Sequence, residues 1–263
     1  MEAETTVESG RKRIWIWILP GLFLAFTAYY ATMCVISSSR RVREINSLYG
    51  YKPGEKNNID IRLFTDSAFI KLNREKAYYQ SRNLLAERDS IYLSLNLPDS
   101  AAYLEINGVT VHTSRLEKFS LCKAMTGADE YAVSSMLSMP LTIKASRSTI
   151  QKEPVMLKIA PKDTSEYKPD ILPDTTNSAP VNYYLEMDNG FRIYVYESES
   201  SGMIDRLKFD IDDRLKNSWT ILKSIATFKV PEYHPSIRLR MKKADARIIY
   251  RALPVHGQIA LFW

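Results

Sequence analysis

Cysteine and histidine are scarce in this chain of 263 residues, with two of the first and three of the second. Cys34 lies inside a long uncharged run, which leaves Cys122 alone in the remainder. An internal disulfide is excluded there, so stability has to come from an ordinary apolar core. His112, His234 and His256 are far apart, with no His-x-x-x-His pair, and the nine glycines form no phosphate-cradling cluster. A zinc or nucleotide site has no support in this pattern, and no cofactor is expected. The net charge of +6 is spread along the chain. It lacks the concentrated basic face of a nucleic-acid binder. Internal repeats and low-complexity tracts are absent as well.

What the chain does have is a stretch of 23 residues without charge, Ile14 to Ile36, directly after Arg11-Lys12-Arg13. A helix needs roughly 20 apolar residues to cross a bilayer core. The run is longer than the apolar part of a cleaved signal peptide. Trp15, Trp17, Tyr29 and Tyr30 lie near its ends, where aromatic rings prefer the interface. The expectation is a transmembrane helix at 14–36 with a cytoplasmic tail at 1–13. Arg40, Arg41 and Arg43 follow the run but are set back behind Ser37-Ser38-Ser39. The basic residues that abut its start therefore favour a single-pass protein of the inner membrane with its C-terminal domain outside the cytoplasm. Residues 37–60, polar and broken by Gly50, Pro53 and Gly54, read as a stalk or linker, and 61–263 as the extracytoplasmic domain.

Within that domain, Asp66 to Arg88 has a capping aspartate, no glycine or proline, and apolar residues at helical spacing, which predicts a helix that packs on the domain or pairs with a second copy. Ile91–Leu97 alternates apolar and polar residues. Tyr103–Ile106 and Val109–Val111 flank Asn107-Gly108, a hairpin with a type I′ turn. Further strands are expected at Met139–Ala145, Val155–Ile159, Asn182–Met187, Arg192–Tyr196 and Gly257–Phe262, and helices at Met203–Ser224 and Asp245–Leu253. Pro161 to Pro180 holds four prolines and reads as a surface loop. The class is α+β, rich in antiparallel sheet.

The chemistry-bearing constellation is Tyr233-His234-Pro235-Ser236-Ile237-Arg238, followed by a helix with Asp245 near its start and by Leu253-Pro254-Val255-His256-Gly257 before a last strand. This resembles the end of an L,D-transpeptidase catalytic domain of the YkuD type, where a Ser-His-Gly-Cys-x-Arg motif leads into such a helix, a Pro-x-Gly turn and a closing strand. Asn182–Gly190 with Phe191–Tyr196 looks like the family's strand pair that ends in a catalytic histidine, and Ile150–Ile159 like its Thr-Pro strand. The resemblance runs from about Ile91 to the C-terminus and implies a mixed β-sandwich. The family's nucleophilic cysteine position, however, holds Ser236, its glycine position holds Pro235, and the place of its basic histidine is Val195 or Tyr196. A serine hydroxyl needs a strong base beside it to become a nucleophile.

Three readings follow. The first is a catalytically degenerate, membrane-anchored pseudoenzyme of the cell envelope. In it His234, Arg238 and Tyr196 would bind a peptidoglycan stem peptide or a protein partner, and Tyr233, His234, Ser236 and Arg238 form a vestigial motif. The second is an active peptidoglycan transpeptidase or hydrolase that uses Ser236 with His234. The third is a structural subunit of a membrane complex, with possible homo-oligomerisation through 66–88. Cys122, in an amphipathic piece, reads as a small buried apolar residue.

Overall fold

The structure, a computed structural model, describes residues 4–52, 61–152, 180–198, 203–227 and 229–263. Helix α1 runs from Glu4 to Tyr49. Its portion from Pro20 on is long and apolar enough to cross a membrane, by length and composition. The helix continues through Ser37-Ser38-Ser39 and stops only before Gly50, where any Cβ would meet the carbonyl oxygen of Asn46 at 2.0 Å.

Residues 37–49, expected as a stalk, are therefore helix, and the helix is docked. Ile45 is 3% exposed and belongs to the main core. The Ser37 hydroxyl donates to the Pro231 carbonyl at 2.6 Å. The Arg41 guanidinium donates to the carbonyl of Asn189, and the amide of Asp129 donates to the Asn46 side chain at 3.0 Å. Tyr49, partly buried, packs against the same core. The remaining stalk residues, 53–60, lie outside the described residues.

Eight strands follow: β1 (Tyr92–Asn96), β2 (Ala101–Ile106), β3 (Val109–Leu121), β4 (Leu141–Ser148), β5 (Asn182–Met187), β6 (Arg192–Glu197), β7 (Ser236–Met241) and β8 (Gln258–Phe262). They close into a barrel in the order β1-β2-β3-β7-β6-β5-β4-β8. This departs from the expected sandwich. Two pieces of geometry close it. β3 is 13 residues long and changes register within its pairings to β2 and to β7, so one strand serves two neighbours. β8 pairs in parallel with β1 and, through Leu141↔Ile259 and Thr142↔Gln258, antiparallel with β4. Among the described residues closure leaves no edge strand to pair with another chain.

The Asn107-Gly108 turn has φ values of 50° and 80°, the type I′ geometry expected. The expected strand at Val155–Ile159 and nearly all of the Pro161–Pro180 loop lie outside the described residues.

Helix α2 (Ser67–Ala86) is capped by Asp66, whose carboxylate accepts from the Ala68 amide at 2.9 Å. It lies on the outer face of the barrel, with Tyr78 and Leu85 against Tyr92, Ala260 and Phe262. Two short helices that the pattern did not announce, α3 (Lys123–Gly127) and α4 (Glu130–Leu137), connect β3 to β4 and meet α1. Helices α5 (Met203–Ala226) and α6 (Lys243–Ala252) fall where expected. The interior is one apolar cluster of inward strand residues, such as Leu95, Ile143, Tyr183, Ile193 and Leu239, joined by Val133 of α4 and Ile249 of α6.

Candidate ligand site

The residues singled out in the sequence gather around β7. Its alternation is regular: Ile237, Leu239 and Met241 are buried, while Ser236, Arg238 and Arg240 face outward. Register then sets their neighbours. Arg238 is opposite Ser120 of β3 and Tyr194 of β6, and Arg240 is opposite Lys118 and Tyr196. Successive same-face residues on paired strands are neighbours across the sheet, so cations from β3 and β7 line up on the outside of the barrel.

Two cavities open there and share Ser120 and Arg238. One, of about 280 Å³, has Lys118, Arg238, Arg240 and Tyr196 in its walls. The other, of about 400 Å³, has Ser38, Lys123, Tyr233, Ser236 and Arg238, with Cys122 beside them. Among the described residues no carboxylate lines either. Together they form a groove with four cations and several hydroxyls, a surface suited to an anion with more than one charged oxygen.

Tyr196 enters this groove as a wall. It is only 2% exposed, and its ring is stacked on that of Tyr194 at 6.3 Å under Phe209 of α5. Tyr233 is at the groove's far end. Burial, followed by the Cys122 thiol against its hydroxyl, pushes its phenol up to about 12. Cys122 is thus half-buried at the groove, rather than sealed in the core.

His234 belongs to a different place. Its Nδ1 lies 3.1 Å from the carbonyl oxygen of Gly190, so this nitrogen donates the hydrogen bond and carries the proton. The ring faces a separate cavity of about 380 Å³ whose walls include Glu44, Glu186, Asp188 and Glu232 along with Arg41 and Lys144. The β5–β6 turn brings it there: Gly190 takes φ +76°, and a Cβ on it would lie in ordinary contact with Arg41 at 3.4 Å and His234 at 3.7 Å. Ser236 and His234 therefore line different cavities, and among the described residues no base is hydrogen-bonded to the Ser236 hydroxyl. A serine nucleophile requires a proton acceptor at hydrogen-bond distance.

The other histidines have structural partners. His112 of β3 meets Asp245 of α6 at 3.3 Å, and His256 Nδ1 faces the Ile143 carbonyl at 3.3 Å. Among the described residues there is no group of His, Cys, Asp and Glu side chains arranged to hold a metal.

Arg238, Tyr196 and Ser236, singled out in the sequence, line these cavities, together with Lys118, Lys123 and Arg240, which the sequence did not single out. The one local sign was Ile237-Arg-Leu-Arg-Met241, a strand with a basic outer face, and the cations of β3 join it only through register. None of the protein-family models, curated proteins or solved structures compared with the chain matches it. The fold and the site define a β-barrel domain carried by an apolar helix, with a cationic groove on its flank.

Proposed function

We propose that this is a membrane-tethered, non-catalytic binding protein of the cell envelope, whose outer groove around Arg238 holds a carboxylate-bearing ligand. The stem peptide of peptidoglycan is the ligand that the transpeptidase-like residues imply, with the barrel on the extracytoplasmic side. The observation that carries the reading is the set Lys118, Lys123, Arg238 and Arg240 around adjoining cavities, with no acidic residue among the described residues of the walls. An arginine fork meets a carboxylate with two parallel hydrogen bonds. The separation of Ser236 from His234 supports binding without turnover.

The test is co-sedimentation of the full-length protein, held in detergent, with purified peptidoglycan. Removing one charge-assisted hydrogen bond weakens binding by roughly 1.5 kcal/mol, on the order of tenfold. An Arg238→Ala, Arg240→Ala variant is expected to lose retention, while Lys144→Ala in the His234 cavity retains it. A folded wild-type protein that stays in the supernatant overturns the peptidoglycan assignment. Release of stem-peptide fragments during the incubation, abolished by Ser236→Ala, overturns the non-catalytic one.

A further inference from the structure

Helix α5 turns a line of large apolar residues outward. Ile211, Leu215, Trp219 and Leu222 are 47%, 64%, 70% and 37% exposed. Their spacing of four, four and three residues puts them on one face. The helix is nonetheless anchored towards both ends: Phe209 is buried among Tyr184, Tyr194 and Tyr196, and Ile225 is 2% exposed. The stripe lies between these two anchors.

The end of α5 fixes where the stripe lies. Five residues beyond Ala226, the Pro231 carbonyl accepts the hydrogen bond from Ser37, the first residue of α1 after the uncharged run. On α1 itself, Tyr29, Tyr30, Met33 and Ser37 are partly or wholly covered, while Leu22, Phe23, Leu24, Val35 and Ile36 face outward. The C-terminal end of α5 is therefore tied, through Pro231, to the level where α1 leaves its apolar run.

We propose that the outward face of α5 lies in the membrane interface beside α1, with its stripe against lipid. This rests on α1 spanning the bilayer and is independent of what the groove binds. Contiguous apolar surface of this kind marks a site for a membrane or a protein, and the tie of the helix's C-terminal end to the end of the apolar run of α1 selects lipid. Tryptophan is favoured at that depth. The helix carries four acidic and five basic residues, so the attraction comes from apolar burial and not from anionic headgroups, unlike that of a basic amphipathic helix.

The experiment uses the full-length protein with Cys34→Ser and Cys122→Ala, reconstituted in phosphatidylcholine vesicles. Single cysteines at Leu215, Trp219 and Leu222 carry an environment-sensitive fluorophore. Leu24→Cys reports insertion of α1, and Val109→Cys, on the exposed β2–β3 hairpin, reports water. Stripe labels are expected to lose most of their emission to a lipid-borne nitroxide and little to aqueous iodide, the reverse of the Val109 label. Added salt or anionic lipid leaves the pattern unchanged. Introducing Leu215→Lys and Trp219→Lys moves the Leu222 label into reach of iodide, with helicity by circular dichroism as the check on folding. Stripe labels quenched by iodide overturn the proposal. So do labels shielded from both quenchers, which identify a protein partner or a second copy. A Leu24 label reached by iodide overturns the spanning of α1 instead.

Discussion

Arg82 of α2 holds Glu105 of β2 with two hydrogen bonds, 2.9 Å from Nε and 2.5 Å from Nη2, although the Glu105 side chain is completely buried. Ser94 donates to the same carboxylate at 2.8 Å and Thr110 at 3.2 Å. The pair joins a helix to three strands. Its hydrogen bond to Glu105 is the chief cause that raises the Arg82 guanidinium above its ordinary value.

Arg82→Met leaves the carboxylate buried with two hydroxyls and no counter-charge, and is expected to destabilise the fold by roughly 3 kcal/mol. Replacing both partners, Arg82→Met with Glu105→Leu, is expected to lose less, since no charge is stranded. Thermal melting of the full-length protein in micelles, followed by circular dichroism, decides between them. Equal losses would show that the pair acts only through packing.

The seat of α1 on the barrel gives a second prediction. Ile45→Ala is expected to remove about 2–3 kcal/mol from the docked interface, and Arg41→Ala the bond to the β5–β6 turn. Amides of residues 37–49 should then exchange faster with solvent, while those of β7 keep their rate. Uniform exchange across the whole protein would contradict a separable interface.

Gly190 gives a third. Its φ of +76° is in the left-handed region, so Gly190→Ala is expected to lose about 1–2 kcal/mol from backbone strain. The new methyl would make only ordinary contacts with Arg41 and His234, so the loss comes from the backbone. Gly21, where a Cβ meets nothing within 4 Å, is the control, and Gly21→Ala should leave the melting temperature where it was.

Alkaline pH gives a fourth. Burial, with Glu105 adding and Arg82 opposing, pushes the Tyr78 phenol up to about 12 from an ordinary 10.0, and Tyr233 is raised to about 12 as well. A phenol whose value is raised in the fold is favoured there in its neutral form. Stability is therefore full below pH 10 and is lost as the pH rises through about 12. Tyr78→Phe with Tyr233→Phe should flatten that loss, as read from melting curves between pH 9 and 12. An unchanged alkaline limb would assign it to other groups.

Local rules carried much of the fold. Asn107-Gly108 announced its hairpin, Asp66 its helix, and the alternation in Ile237–Met241 its strand, because each depends on a few adjacent residues. The barrel was not legible, since its closure rests on pairings between β1 and β8 and between β6 and β7 that leave no mark in either partner's own sequence. Helix α4 has only eight residues, too few for a period to stand out beside Ser134-Ser135. Ser37-Ser38-Ser39 hides the continuation of α1, because polar side chains look like a break, yet a helix docked through Ile45 needs no apolar run. In the groove, Lys118 meets Arg240 only through the β3–β7 register, and Lys123 joins them from the start of α3.

Helix α1 passes from its apolar run into its seat on the barrel without a break, 46 residues in all, or about 70 Å at 1.5 Å per residue. A domain on a loose cord would sample every direction above a membrane. A barrel clamped to a stiff rod at Ile45 and Arg41 keeps one bearing, so that with α1 inserted, any tilt the helix adopts to match the thickness of its bilayer swings the cationic groove through the same angle.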